Sequence, residues 1–387
     1  MVEFNYGHGM RALWPLEDGA LYLNHGTVGV TPGEVLAAQW EIKQRIEAHP
    51  ARYMRRELKP ALRAAADRVA AQLGGQGDDY VFTDNATTGI NAVLRSIELA
   101  PGDEILVTDH TYGAVANAAR YACEKAGATL VSVQIPFPIA DDDAAASALE
   151  SGLSPDTRLV ILDHVTSETG ILLPLRRLVA LCHDAGARVL VDGAHAPGTV
   201  DLDIPSQGAE WYSANLHKWL FAPRGCGVLW ADPRVQQELH PAVISWRLDE
   251  GFTAEFDWTG TRDPSPFLSV PAAFDFLQKI GGGSVPAYNH ALAVDAAGLL
   301  ADRFDGRMGA PGPMISAMGL APLPENLAAT LDEAEALRDH LMYKHYIEVP
   351  IIARAGRLWA RLAGQVYCQM SDFEQLADAV ADWAAKR

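Results

Sequence analysis

The sequence predicts an α/β fold. A large domain rests on a mostly parallel seven-stranded sheet covered by helices, and a smaller α+β domain closes the chain. Two observations predict it. Short β-rich runs alternate with Ala- and Leu-rich stretches of helical spacing through the middle of the chain, the alternation that a doubly wound sheet requires. After about residue 280 that alternation stops, at the turn-like GGGS of residues 281–284, a natural boundary between units.

In chain order, the strand candidates are DDYVFTD (78–84), EILVTD (104–109), ATLVSVQ (128–134), RLVILDH (158–164), RVLVDGA (188–194), AEWYSAN (209–215) and GCGVLWA (225–231). Each is rich in β-branched and aromatic residues. Between several of them lie amphipathic stretches such as NAVLRSIEL and PLRRLVALCHDAG, whose apolar spacing suits helices. Gly186 ends the second with a plausible helix stop. DDDAAASA, after residue 140, reads as a solvated turn into a helix. Beyond the GGGS break come a helical stretch through HALAVDAAGLLADRF, two short strand candidates (YIEVPII and RLWARLA) and a final helix. Ser371-Asp372-Phe373-Glu374 opens that helix as a capping box. The expected division is 1–50 as a segment completing the small domain, 51–283 as the large domain and 284–387 as the small one.

Of the 387 residues, 49% are hydrophobic and 21% charged, the balance of a globular chain with a sizeable core. Lysine and arginine number 31 against 49 acidic residues, a net charge of −18. Such a surface repels nucleic acid and anionic membranes, while leaving room for small anions in local pockets. The four cysteines, Cys123, Cys182, Cys226 and Cys368, form no CxxC pair, which fits reduced thiols better than disulfides or a zinc site, and no metal site is expected. The opening MVEFNYGHGMRALWPLEDGA has no long apolar core of a secretory leader. No apolar run approaches the roughly 20 residues of a membrane-spanning helix. The expectation is a cytoplasmic protein.

Several strand ends carry polar residues that a buried sheet does not otherwise need. Asp192, in VLVDGAHAPG, follows an apolar strand; it reads either as a turn or cap residue or as a carboxylate facing a cation or donor. Lys218, in SANLHKW, reads either as a lysine with a buried stem and a solvated head or as a desolvated amine able to form a Schiff base. TDNATTGIN (83–91) follows a strand and opens a helix, with Ala86, Thr87, Thr88 and Gly89 at the junction. A helix start of that kind binds anions such as phosphate, and His217 could add a donor; simple capping by Asn85 or Thr87 is the plainer alternative. Tyr112 or His110, after EILVTD, could stack on a flat ring, and Arg361 could grip a carboxylate or serve a surface ion pair. A lysine amine, a carboxylate for a pyridine nitrogen and a phosphate cradle together are what pyridoxal phosphate needs.

In order along the chain, LYLNHGTVGVTP (21–32), TDNATTG (83–89), DHTYGAV (109–115), LDHVTSETGILLP (162–174), VDGAHAPG (191–198), NLHKW (215–219), TGTR (259–262) and RLAGQVY (361–367) resemble the class V aminotransferase superfamily, fold type I of the pyridoxal-phosphate enzymes. The LNHG and HVTS elements point to its isopenicillin N epimerase-like group. The resemblance runs from about residue 20 to residue 380. It implies that Lys218 carries the cofactor as an internal aldimine, that Asp192 pairs with the pyridine nitrogen, and that His195 sits near the phenolic oxygen. Tyr112 would stack on the ring, where related cysteine desulfurases place a histidine. Ala86, Thr87, Thr88 and His217 would hold the phosphate, with Asn215 standing where many relatives have a serine. Thr166 and Ser167 lie where desulfurases have cofactor-contacting asparagines. Thr261 resembles a threonine that reaches the phosphate of a neighbouring subunit, which implies a homodimer. Arg361 would bind the substrate α-carboxylate, and the LNHG motif adds Asn24 and His25 to the substrate-binding set.

The reaction expected is chemistry at Cα or Cβ of an amino acid: epimerisation or β-elimination of a C–S bond, with transamination as the alternative. A persulfide-forming desulfurase is disfavoured, because residues 227–367 contain no cysteine for a catalytic loop. Epimerisation needs a second base opposite Lys218, for which Tyr112, His25 and Tyr53 are candidates. Arg52, Arg55 and Arg56 could recognise a second carboxylate or simply solvate a helix. A homologue that binds an amine or nucleotide without turnover is the alternative from another class; the presence of both Lys218 and Asp192 argues against it.

Overall fold

The computed structural model describes residues 4–387. Near the start, β1 (Leu21–Tyr22) leads into a single helical turn, His25–Val28. The large sheet contains β2 (Tyr80–Thr83), β3 (Glu104–Thr108), β4 (Thr129–Val133), β5 (Thr157–Asp163), β6 (Arg188–Asp192), β7 (Trp211–Asn215) and β8 (Gly227–Ala231). Six of the seven fall within the runs expected from the sequence, and β5 starts one residue before its run, at Thr157. Their order is β2-β8-β7-β6-β5-β3-β4, with β8 alone antiparallel to its neighbours. The remaining strands therefore point their carboxyl ends to one edge, where open α/β sheets place their ligands. Central strands β6, β7 and β8 are buried almost throughout, as expected of strands covered on both faces.

The helices form where sequence spacing puts apolar residues on one stripe. In Leu175–Asp184 the buried positions are Leu175, Leu178, Val179 and Cys182. Each large aliphatic among them contributes about 1.5–3 kcal/mol by leaving water. The helix stops as expected, with Gly186 at φ 83°, a conformation glycine adopts without penalty. Asn85 caps Ala86–Ser96 by accepting the Thr88 N–H.

The second sheet is antiparallel, in the order β11-β12-β9. It comprises β9 (Met318–Pro322), β11 (Ile351–Arg354) and β12 (Arg357–Ala363), while β10 (Ile347–Glu348) pairs with β1 instead. Helix Ser284–Arg303 packs on β9 and on the final helix, Met370–Ala384. That final helix does carry a capping box, but two residues earlier than expected. Gln369 and Asp372 exchange the two bonds, not Ser371 and Glu374, because Gln369 is the residue left in extended conformation before the helix.

The N-terminal stretch divides its contacts. Residues up to Leu23 pack with the C-terminal part of the chain: β1 forms a separate two-stranded sheet with β10, and the Ala363 N–H, at the end of β12, donates to Leu23 O. Helix Gly33–Ala48 packs instead on Ser265–Leu268 and Val270–Lys279, beside the large sheet. Among the described residues, no helix is long and apolar enough to cross a membrane.

Candidate active site

The carboxyl ends of β2, β3, β5, β6 and β7 open into a cleft of about 910 Å³, closed on its far side by β11, β12 and helix Leu331–His345. Each of the five strand ends contributes polar groups to it.

After β7 the chain turns through His217 and Lys218, both buried. The Lys218 amine lies 3.0 Å from His195 Nε2. Burial pushes it down to about 7, against the opposing attraction of Asp192. The indole N–H of Trp219 points to His195 Nδ1 at 3.5 Å, which leaves the ring proton on Nε2. From there it is donated to Ser167 Oγ, at 3.3 Å, or to an unprotonated Lys218. Burial holds His195 well below the usual histidine range, so the ring is neutral.

Asp192 ends β6 and is 4% exposed. One oxygen accepts the Ala194 N–H at 3.0 Å, and the other makes no hydrogen bond among the described residues. Burial raises this carboxyl, while Ala194 and Lys218 oppose the shift.

At the end of β2, the start of helix Ala86–Ser96 faces the cleft. Three of its first four N–H groups are already engaged: Ala86 donates to Asn215 Oδ1 at 2.9 Å, Thr88 to Asn85 Oδ1 at 2.9 Å and Gly89 to Asn85 O at 3.3 Å. Thr87 N–H remains free for an anion, together with the Thr87 hydroxyl and the amide of Asn215. Ala86 also lines the cleft, and its N–H ties β7 to the helix through Asn215. His217 donates from Nδ1 to Cys226 O at 2.8 Å, so its Nε2 is bare in the neutral ring. Its pKa falls to about 4 by burial, and only a bound anion would protonate it into a donor.

Tyr112, at the start of Gly113–Ala126, stands over the cleft and is 43% exposed. His110, the other aromatic considered, is buried and bonded to Thr169 at 2.6 Å.

From the second sheet comes Arg361, on β12. It reaches Ser167 O at 2.6 Å, Thr27 Oγ1 at 2.5 Å and Asn24 Oδ1 at 3.2 Å. It makes no ion pair among the described residues, and its buried Nε has no partner. Burial lowers its pKa to about 10, so it stays cationic: a fixed guanidinium lacking an anion.

Four of the residues that the resemblance assigns to the site do not line the cleft. Asn24 stands behind Arg361 and donates to Glu348 at 3.0 Å. Thr166 is fully buried and accepts the Ile171 N–H at 2.8 Å, which stabilises the turn below Ser167. His25 is fully buried, bonded to Lys218 O and Tyr367. Thr261 lies in a separate surface hollow with Arg55 and Trp246. Tyr53, a candidate second base, is 4% exposed and also outside the cleft.

Sequence reasoning passed over Asp163, Glu168 and Arg338, which do line it. Asp163 carried a usable signal, because it ends an apolar strand just as Asp192 does. Arg338 carried none, since only the packing of its helix brings it there.

The family model described as aminotransferase class-V matches residues 22–312. An L-cysteine desulfhydrase of Arabidopsis thaliana is 30% identical over 400 residues, which cover 95% of this chain and 88% of that one. Isopenicillin N epimerase of Amycolatopsis lactamdurans is 30% identical over 392 residues, covering 95% and 96%. Among solved structures, a mutant of C-DES with glycine covalently linked to its PLP cofactor aligns at TM-score 0.80 and 23% identity over 96% of this chain and 99% of that one, a likeness of fold. With the match spanning both the strand-end motifs and the sheet that carries them, the chain belongs to the class-V aminotransferase family.

Proposed function

We propose that the cleft binds pyridoxal phosphate and that the protein eliminates the β-substituent of a small amino acid, with sulfur as the leaving atom. The observation that carries this reading is the buried Lys218 amine, pushed down to about 7 and set 3.0 Å from His195. Such an amine is unprotonated often enough at neutral pH to act as a nucleophile and a base. The residues present fit the cofactor. Lys218 would meet its aldehyde and the free oxygen of Asp192 its ring nitrogen, while Tyr112 would cover the ring and Thr87 with Asn215 and His217 would hold the phosphate.

Bound there, pyridoxal phosphate supplies an electron sink that stabilises negative charge at the substrate Cα. Arg361 fixes the α-carboxylate, so that the Cα–H bond is held in one orientation. Lys218 then takes the α-proton and can return it. His195, neutral and held by Trp219, positions the amine. Asp192 holds a proton on the ring side. Asn24 and Thr27 keep the Arg361 fork in place, and His25 and Thr166 are positioning residues behind the cleft.

Elimination needs only this one base, whereas epimerisation needs a second on the opposite face. Of the three candidates, His25 and Tyr53 stand outside the cleft, which favours elimination. Tyr112 alone lines it and keeps epimerisation as the second reading. A thiol-based sulfur relay receives no support, because all four cysteines are buried and burial raises each thiol. The relatives named desulfhydrase and epimerase support a small amino-acid substrate.

The protein is further proposed to be a cytoplasmic homodimer in which Thr261 completes the neighbouring site. Its distance from its own cleft and the exposed Val243, Ile244 and Trp246 nearby in the chain support that arrangement. The test is the visible absorbance of the purified protein. Bound cofactor absorbs above the protein bands, and Lys218→Ala is expected to abolish the lysine-linked band. A protein that stays colourless after added pyridoxal phosphate overturns the reading.

A further inference from the structure

Asp163 is the last residue of β5 and is in register with Asp192, the last residue of β6. Paired residues on adjacent strands project to the same face of the sheet, so two carboxyl groups stand side by side at the floor of the cleft. They are 2% and 4% exposed. Their surroundings differ. Asp192 accepts a backbone N–H from Ala194 at 3.0 Å and feels the Lys218 amine. Asp163 Oδ2 is buried with no hydrogen-bond partner among the described residues. Two adjacent carboxylates in a low-dielectric site cannot both ionise, and a buried oxygen without a donor is the costlier place for charge.

We propose that Asp163 is an uncharged carboxylic acid at neutral pH whose O–H donates to Asp192, so that the β5–β6 pair holds one proton and one negative charge. The proton stays on Asp163, and the charge stays on the residue with the Ala194 donor. Asp163 is thereby a positioning residue for Asp192. Its donated hydrogen bond orients the Asp192 carboxylate and keeps it a weaker base than a lone buried aspartate. This sets how firmly Asp192 holds a proton opposite the ring nitrogen, and to that extent the inference rests on the cofactor reading above. Burial and the neighbouring Asp192 both raise the Asp163 carboxyl well above the usual range, with Thr111 opposing. Other titratable groups facing the pair are Lys218, after β7, and Tyr212 on β7, whose hydroxyl is bonded to His164 at 2.8 Å.

The experiment is infrared difference spectroscopy of protein labelled with ¹³C at its aspartate carboxyls, as isolated and again after the cofactor is stripped. A protonated-carboxyl C=O stretch is expected at neutral pH, lost in Asp163→Asn and retained in Asp192→Asn. Because asparagine is also neutral and can donate, Asp163→Asn should keep cofactor affinity within the same order of magnitude, while Asp163→Leu, which cannot donate, should lose more. Absence of the band in wild type overturns the proposal. So does a band that survives in Asp163→Asn but vanishes in Asp192→Asn. If Asp163→Asn does not fold, the wild-type band and its fate in Asp192→Asn decide alone. A band present in a protein that binds no cofactor would separate failure of the cofactor reading from failure of this one.

Discussion

His25 Nε2 donates to the backbone carbonyl of Lys218 at 3.0 Å, while its Nδ1 accepts from the Tyr367 hydroxyl at 2.9 Å. The ring therefore clamps the reactive lysine from behind. Gly29 completes the clamp, since a Cβ there would lie 2.0 Å from His217 O. Replacing His25 with alanine leaves two buried polar groups without partners. We expect a loss of about 2–4 kcal/mol in unfolding free energy, read by urea denaturation. A loss under about 0.5 kcal/mol, the level of an ordinary surface substitution, contradicts the clamp.

The same burial makes the cofactor-free protein acid-sensitive. His25, His164 and His217 each titrate at about 4 in the folded chain, against 6.5 ordinarily, because burial disfavours the cation. Between those values the unfolded chain binds more protons, so stability falls as pH drops from 6.5 to about 4. Each histidine contributes on the order of 1–3 kcal/mol to that fall. His25→Gln should flatten the slope of stability against pH in this window; an unchanged slope counts against a neutral buried ring.

Arg361 offers a held guanidinium with no anion of its own. Arg361→Ala is expected to raise KM for an amino acid by about 10–100-fold, with a smaller change in kcat. Arg361→Lys should recover part of the loss, since a point charge replaces the fork. Steady-state kinetics check this, and a KM unchanged in both variants removes Arg361 from carboxylate binding.

Lys218 titrates in the opposite sense to an ordinary stabilising lysine. Its folded value is about 7 against the usual 10.5, so across that window the folded chain binds fewer protons than the unfolded one. Stability of the cofactor-free protein should then rise with pH through the window. Lys218→Met should be the more stable protein at neutral pH, with the gap narrowing as pH rises. Thermal unfolding of the two stripped proteins measures it, and a gap independent of pH contradicts a desolvated amine.

Much of this was legible in the sequence. The seven large-sheet strands are runs of β-branched and aromatic residues long enough to be read locally, and the strand-end motifs follow from them. β9 was missed because its Met318–Pro322 segment carries glycine and proline and gains its identity only by pairing with β12. The capping box was misplaced because Ser371 and Glu374 match the usual pattern better than Gln369 and Asp372 do, and backbone conformation overrides the pattern. Asn24 and His25 were legible as site residues, but their positions behind the cleft depend on how the His25–Val28 turn packs against Lys218. That is a long-range contact no local pattern encodes.

The central claim is that Lys218 alone drives proton transfer at Cα and that the Cβ–S bond then breaks. It is tested most directly by incubating the protein with cysteine and its S-substituted derivatives in deuterated water and measuring every product. The account predicts 2-oxo acid and ammonia in step with released sulfur, without added acceptor. Recovered amino acid with inverted configuration and exchanged α-hydrogen would contradict it, as would 2-oxo acid formed only when an amino-group acceptor is supplied.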